Sequence, residues 1–280
     1  MDLKSAGMRA GVIRYWRLVV LLLVLLTALV LILAAGPISQ DTRLHALADD
    51  RAALGVPNFF NVVSNVAFLL VGLAGLFAGR SGRISGASRS WFVFFLGIAL
   101  VCFGSAYYHW APNNATLVWD RLPMTLAFMG LFVALVSEHL GERVERVLLA
   151  PALIVGIASV LWWDHTGDLR FYIWVQLSPF LAIVVLLLAY PGRYTHRAYL
   201  WYGLALYALA KVSEGYDREL YSLTAQALSG HVLKHLLAAA SVFAIYLMLL
   251  RRTALSDPAA QTTPGSPLPD SGTQGQVSRG

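Results

Sequence analysis

Charged residues and cysteine are scarce in this sequence. Asp, Glu, Lys and Arg make up 13% of the 280 residues, whereas 58% are hydrophobic and the mean hydropathy is +0.65. A soluble globular domain carries about 25% charged residues. The single cysteine, Cys102, excludes an intrachain disulfide framework and a metal site built from several cysteines. The composition therefore predicts an integral membrane protein.

Eight apolar runs are candidates for transmembrane helices, since a helix needs about 20 mostly apolar residues to cross the hydrocarbon. They cover approximately residues 17–36, 59–79, 91–110, 121–138, 147–163, 171–190, 198–213 and 231–250. We therefore expect an all-α integral membrane protein with a seven-transmembrane-helix core, at residues 45–250, and one additional N-terminal hydrophobic helix, at residues 17–36. A basic segment at residues 1–16 and a Pro/Gly/Ser-rich tail at residues 253–280, which we expect to be disordered, flank them.

The basic residues are spread over short loops and form no stripe, so the net charge of +6 does not predict a nucleic-acid partner. Their distribution predicts the orientation instead, because the cytoplasmic loops of membrane proteins are enriched in Lys and Arg. With the N-terminus in the cytoplasm, two thirds of the 21 Lys and Arg residues fall on the cytoplasmic side. We expect a bacterial inner-membrane protein with both termini in the cytoplasm.

The first apolar run, residues 17–36, follows a basic segment and ends in small residues, which is also the pattern of a cleaved signal peptide. Its apolar length exceeds that of the usual signal-peptide core, so we favour an uncleaved helix. In either case the next segment starts on the exterior side. The seven-helix core then has its own N-terminus outside.

Three predicted helix ends on the exterior side carry histidine or aspartate. The third run ends near His109, the fourth begins near Asp120, and the last begins with His231 and His235. Ser105 shares a helix face with His109, and the other two histidines share one, because residues four apart lie one above the other. Three histidines with an open coordination position are typical of catalytic zinc sites. The cluster therefore predicts a metal centre with Asp120 beside the open position.

A structural role is the alternative for each of these side chains. Asp120 and Pro123 also suit the first turn of a helix, where an acid interacts favourably with the helix dipole. Polar groups inside a membrane span are costly, however, and they usually face the bundle interior or mark a functional site. Three histidines at one membrane depth favour a site. The other histidines lie in or near predicted loops, and we assign them no ligand role.

These residues carry a resemblance to the alkaline ceramidases, which belong to a wider group of seven-helix membrane hydrolases that also includes the progestin and adiponectin receptors. The family pattern has a serine four residues before a histidine, an aspartate eleven residues after it, and His-x-x-x-His at the start of the last helix. The matching residues here are Ser105, His109, Asp120, His231 and His235. Two further family elements also match, D-x-L-P-M at residues 120–124 and N-x-x-S-N at residues 61–65.

The resemblance implies a zinc-dependent amidase that acts on a lipid. In such a family the three histidines hold Zn²⁺, Asp120 orients and deprotonates a water molecule, and Ser105 helps to stabilise the oxyanion. Zinc suits this chemistry because it lowers the pKa of bound water towards about 7 and polarises the scissile carbonyl. An additional donor at the oxyanion contributes a few kcal/mol.

A calcium site is a subordinate expectation. Eukaryotic ceramidases build one from an acidic D-W-C-E-x-N segment and a glutamate before the first core helix. The corresponding region here, residues 47–65, has Asn58 in the place of that glutamate. Asp49 and Asp50 are the remaining candidate ligands, and Ca²⁺ needs more oxygen ligands than these residues offer.

Two other groups near helix ends are given no chemistry. Acidic residues after the seventh run, among them Glu214 and Asp217, are candidates for binding a substrate headgroup, but we favour a solvated loop. Lys211 and Glu214 lie three residues apart near a helix end, and we expect them to pair. Trp162 and Trp163 lie near a predicted membrane interface, where aromatic belts occur.

Three classes of function compete. The leading hypothesis is hydrolysis of the N-acyl amide bond of a ceramide-like lipid to a fatty acid and an amine. A non-catalytic lipid sensor of the same fold would have the same site and release no fatty acid. A cofactor protein is the third class, in which two of the histidines ligate haem or Lys234 carries retinal opposite Asp120. Lys234 lies only one turn into its helix, too shallow for a chromophore at mid-depth, and haem leaves Asp120 and Ser105 without roles.

Overall fold

The computed structural model describes residues 3–190 and 192–255, with the backbone alone for residues 3–15. Ten α-helices occupy most of this described part, which contains isolated β-bridges and no β-strand. Their bounds are α1 Leu3–Ala34, α2 Phe59–Val63, α3 Val66–Arg80, α4 Ser88–Trp110, α5 Asn114–Leu140, α6 Glu142–Thr166, α7 Arg170–Ala189, α8 Ala198–Gly215, α9 Asp217–Leu223 and α10 Gly230–Arg251. The predicted disordered tail lies outside the described residues from residue 256 onward.

Seven helical segments of the described part are long and apolar enough to cross a membrane. One is N-terminal, Trp16–Ala34, and another, Phe59–Arg80, combines α2 and α3 across a break at residues 64 and 65. The remaining five are α4, α5, α6, α7 and α10. The predicted all-α membrane fold with its N-terminal hydrophobic helix is therefore confirmed. The run predicted at 198–213 forms the 18-residue α8, which is not among the seven but packs against α10.

α5 begins earlier than the hydrophobic pattern predicted. The Asn113 side chain accepts a hydrogen bond from the Thr116 amide, and the Thr116 hydroxyl accepts one from the Asn113 amide. This capping box satisfies two amides at the start of the helix. Asp120 consequently lies in the second turn of α5, and Pro123 lies inside the helix. The alternative in which Asp120 merely caps the helix is wrong.

α4 and α5 approach each other closely at a glycine. A Cβ atom at Gly104 would lie 2.1 Å from the carbonyl oxygen of Trp119, so no side chain fits there. Glycine therefore permits a backbone distance that any other residue would prevent. The close approach places Ser105 and His109 on α4 beside Asp120 on α5.

The start of α10 is held against the end of α8. Ser229 caps the first turn of α10, and a Cβ atom at Gly230 would lie 2.1 Å from the carbonyl oxygen of Ser213 in α8. Farther along, the Ser241 hydroxyl donates to the carbonyl oxygen of Gly203 in α8 at 2.8 Å. These contacts fix the depth at which the first turns of α10 meet the last turn of α4.

A buried ion pair joins the opposite end of the bundle. Arg252, directly after α10, donates to the two carboxylate oxygens of Glu138 at 2.7 and 2.6 Å. The indole Nε1 of Trp91 in α4 donates to the same carboxylate at 2.7 Å. Because Glu138 lies near the end of α5, the cluster links α4, α5 and α10 at the end remote from the three histidines.

Candidate metal centre

The structure brings the three predicted histidines together in the interior of the bundle. The Nε2 atom of His109, in the last turn of α4, lies 3.2 Å from Nε2 of His235 and 3.2 Å from Nε2 of His231. All three side chains are buried, and a ligand nitrogen from each lies within 4.8 Å of the others. Within residues 3–190 and 192–255, no other three His, Cys, Asp or Glu residues form such a group.

The surroundings of this triad fit a metal ion. The Ser64 hydroxyl lies 2.7 Å from Nδ1 of His235, so it orients the ring and leaves Nε2 facing the other two histidines. Metal-bound histidines commonly have such a hydrogen-bond partner on their second nitrogen. A single divalent ion among the three Nε2 atoms can accept all three lone pairs, and three imidazoles are a donor set that zinc favours.

Lys234 contacts the ring nitrogen of His231 that faces the other two histidines. Its ammonium group lies 2.9 Å from Nε2 of His231 and 2.9 Å from a carboxylate oxygen of Glu214. An ammonium hydrogen bond and a metal ion use the same lone pair of that nitrogen. Metal ligation by His231 therefore requires Lys234 to move away, and Glu214 gives the ammonium a second partner.

Ser105 and Asp120 lie next to the triad. The Ser105 side chain is buried and lies near the Asp120 carboxylate. Both residues line the same cavity as His231 and His235. All five residues that the motif singled out are therefore gathered around one space.

Glu214 also belongs to the surroundings of the site, and its assignment to a solvated loop was wrong. α8 continues through Glu214, whose side chain is only 18% exposed. Its carboxylate pairs with Lys234 and, as expected, with Lys211. All three residues line the cavity.

Asp217 is likewise an ordered residue at the start of α9, where the sequence indicated a loop. Its carboxylate accepts hydrogen bonds from the His231 amide at 2.7 Å and from the Ala48 amide at 2.9 Å. It thereby fastens the segment before α2 to the first turn of α10. No local pattern identifies this role, because its two partners lie 14 and 169 residues away in the sequence.

A cavity of about 360 Å³ extends from the candidate site into the bundle. Apolar side chains of α4, α5, α7, α8 and α10 line most of it, including Ile98, Phe128, Ile183, Leu200 and Ile245. Ile245 lies 14 residues beyond His231 on α10, or about 21 Å along the helix axis at about 1.5 Å per residue. The cavity is therefore long and apolar, with its polar groups gathered at the triad end.

The candidate calcium ligands have other partners. Asp49 accepts hydrogen bonds from Nε and Nη2 of Arg51 at 2.8 and 2.6 Å. Burial opposes ionisation of Asp49, but the bonds from Arg51 outweigh it and hold the pKa of Asp49 below its ordinary value. The Asn58 amide donates to the carbonyl oxygen of His109 at 2.8 Å, and Asp50 is exposed. These contacts give calcium no support, and we do not propose a calcium site.

The geometry also weighs against the two cofactor alternatives. Nε2 atoms 3.2 Å apart leave no space for a porphyrin between two of the histidines. The Lys234 ammonium is paired with Glu214, so the arrangement in which Asp120 serves as its counter-ion is not the one observed. Neither cofactor alternative therefore fits the triad as well as a metal ion does.

Comparison with known proteins identifies the family. A family model described as Ceramidase matches residues 54–263, which is most of the chain and includes all five motif residues. No curated protein and no solved structure matches the chain significantly. The family match agrees with the resemblance carried by the motif residues and with the membrane-spanning helices. The chain therefore belongs to the Ceramidase family, hydrolases of the amide bond of ceramide.

Proposed function

We propose that the protein is a zinc-dependent membrane amidase that hydrolyses the N-acyl amide bond of a ceramide-like lipid to a fatty acid and an amine. The observation that carries this proposal is the position of the three histidines, with Asp120 and Ser105, at the polar end of a long apolar cavity. A lipid in this cavity can then present its amide bond to the metal ligands, to Asp120 and to Ser105 together.

His109, His231 and His235 would hold the ion, each through one ring nitrogen. When bound, zinc lowers the pKa of water towards about 7 and polarises the scissile carbonyl. The Ser64 hydroxyl keeps the His235 ring in the ligating orientation. Asp217 holds the first turn of α10, and with it His231, at the required depth.

Asp120 is assigned the proton transfers. Its carboxylate accepts a proton from the attacking water as the new carbon–oxygen bond forms, and it returns that proton to the amide nitrogen as the carbon–nitrogen bond breaks. Ser105 donates a hydrogen bond to the carbonyl oxygen as that oxygen becomes negative. Ser105 and Asp120 line the same cavity, so the hydroxyl shares the space of the reacting groups.

The cavity accounts for a lipid substrate. A fatty acyl chain already lies in hydrocarbon, so transfer into another apolar space provides little driving force. The long cavity therefore serves mainly to position the chain, so that the amide at its end meets the triad. A site near one membrane surface leaves the polar headgroup on the aqueous side.

The excess of Lys and Arg at the other end of the helices supports a site that faces the exterior of a bacterial inner membrane, with both termini in the cytoplasm. Cysteine labelling tests this orientation. Ala115→Cys, exposed at the start of α5, and Ser81→Cys, exposed after α3, are matched variants for the two ends. In a Cys102→Ala background, an impermeant thiol reagent should label the first variant in intact cells and the second only after lysis. The reverse pattern would place the site in the cytoplasm.

Purified protein provides the test of activity. We expect stoichiometric zinc by elemental analysis and release of fatty acid from ceramide or from another N-acyl lipid. Removal of the metal with a chelator should stop the release, and added Zn²⁺ should restore it. A protein that binds these lipids and releases no fatty acid would be a sensor and would refute the proposal.

A further inference from the structure

Arg121 is a buried cation in the wall of the cavity, and the proposed chemistry does not use it. It follows Asp120 in the second turn of α5, and only 7% of its surface is exposed. Its side chain lines the same cavity as Asp120 and the histidines of α10.

Two aromatic rings hold the guanidinium group of Arg121. Its central carbon lies 3.9 Å from the ring centroid of Trp163 and 4.7 Å from that of Tyr172. Both rings are themselves buried, at 2% and 5% exposed. Nη2 donates to the side-chain oxygen of Gln40, which also lines the cavity. The planar group is therefore fixed in orientation before any ligand arrives.

The protein pairs the guanidinium group of Arg121 only in part. Nη1 is buried and has no hydrogen-bond partner, and Arg121 takes part in no salt bridge within the described part of the chain. Aromatic faces compensate only part of the loss of hydration of a buried cation. A neutral amide oxygen accepts one of its five N–H groups and leaves the charge uncompensated.

The other charged groups of the cavity do not remove this imbalance. The lining contains three cations, Arg121, Lys211 and Lys234, and two acids, Asp120 and Glu214. Both lysines pair with Glu214, which leaves Asp120 as the one acid near Arg121. Asp120 lies near both Ser105 and Arg121, but it forms no ion pair with Arg121 in the described part of the chain. A metal ion at the triad would add further positive charge. The polar end of the cavity therefore favours an anion.

We propose that Arg121 binds an anionic group, such as a carboxylate or a sulfonate, that the substrate carries close to its scissile amide. The preferred substrate of the site is then an anionic N-acyl lipid. A guanidinium group suits this role because its planar fork pairs with such anions through two parallel hydrogen bonds. Arg121 follows Asp120 on α5 and lines the same cavity, so an anion bound by Arg121 shares the space that holds the scissile amide. This inference rests on the amidase function proposed for the same site.

Three lipids with one acyl chain separate charge from shape. N-oleoylglycine carries a carboxylate beside the amide, N-oleoyltaurine carries a sulfonate, and N-oleoylethanolamine is neutral. The kcat/KM for fatty-acid release is measured for each lipid with the parent protein and with Arg121→Met, which keeps a long apolar stem and removes the charge. Arg121→Lys keeps the charge and loses the fork. Arg43→Met is the control, because Arg43 is 90% exposed and pairs with Asp41 on the same side of the bundle.

We expect the parent to prefer at least one of the anionic lipids, and Arg121→Met to lower the ratio of anionic to neutral kcat/KM by about 10- to 100-fold, as loss of a charge-assisted pair implies. Arg121→Lys should keep part of the preference, and Arg43→Met should keep all of it. Which anion is preferred, carboxylate or sulfonate, identifies the headgroup class. A parent without preference for an anion, or an Arg121→Met protein that loses activity on all three lipids equally, overturns the proposal.

A binding measurement separates this inference from the amidase function. Each lipid is added to the Asp120→Asn protein, with and without Arg121→Met, and the rise in melting temperature reports binding. Larger rises for the anionic lipids that vanish with Arg121→Met support the anion site, even if the parent releases no fatty acid and the amidase proposal fails. Equal rises of the Asp120→Asn protein with all three lipids refute the anion site. This outcome needs no second variant, so the test holds even if the Arg121→Met protein does not fold.

Discussion

Replacing Asp120 by Asn should abolish turnover and leave zinc in place, whereas replacing His235 by Ala should remove both. Asp120 lines the cavity together with Ser105, and an Asn side chain has the same size and keeps one oxygen in that position. It cannot accept the proton of the attacking water. General acid–base groups contribute about 10²- to 10⁴-fold to rates, which corresponds to roughly 3 to 5 kcal/mol of barrier at about 1.36 kcal/mol per factor of ten.

The expectation for His235→Ala follows from its contacts. The change removes an Nε2 atom that lies 3.2 Å from Nε2 of His109, and it leaves the Ser64 hydroxyl without its imidazole partner. Loss of a hydrogen-bond partner of a ligand typically lowers metal affinity about 10- to 100-fold, and loss of a ligand itself should exceed that. His165→Ala is the matched control, because His165 is exposed at the end of α6.

The assay measures zinc content and fatty-acid release on folded, detergent-purified proteins. The parent and His165→Ala should contain zinc and be active, Asp120→Asn should contain zinc and be inactive, and His235→Ala should lack both. Full zinc in His235→Ala, or the parental rate in Asp120→Asn, would refute the assigned roles even though the fold is unchanged.

Three further predictions concern the support of the site. Ser64→Ala should lower zinc affinity about 10- to 100-fold, as measured by competition with a chelator, because the ring it orients loses its partner. Gly104→Ala should destabilise the protein by about 1 to 3 kcal/mol through overpacking. Gly79→Ala is the control and should be tolerated, because a Cβ there meets nothing within 4 Å. Equal melting temperatures of the two variants would contradict the close approach of α4 and α5. Glu138→Gln should cost about 3 to 5 kcal/mol because it leaves the buried Arg252 without a counter-charge, and an unchanged melting temperature would show that the pair is not needed.

The candidate site was predictable from the sequence because its signals are local. His231 and His235 lie four residues apart on one helix, and Ser105 and His109 have the same spacing on another. Alternating helix directions then place these helix ends on one side of the membrane. The start of α5 was missed because hydrophobicity marks the apolar part of a helix, whereas the capping box of Asn113 and Thr116 marks its true beginning.

The sequence by itself determined that the protein is a helical membrane protein and which five residues form its candidate centre. The hydrophobic composition predicts that the chain folds in a membrane, and helical periodicity predicts which residues share a face. Only the tertiary structure decided the roles of residues outside the motif. In the structure Arg121 is a buried cation of the cavity, and the Trp163 ring packs against its guanidinium group. Asp217 accepts a hydrogen bond from the first turn of α10. These roles depend on contacts between residues far apart in the chain, and the packing of one helix on another creates them.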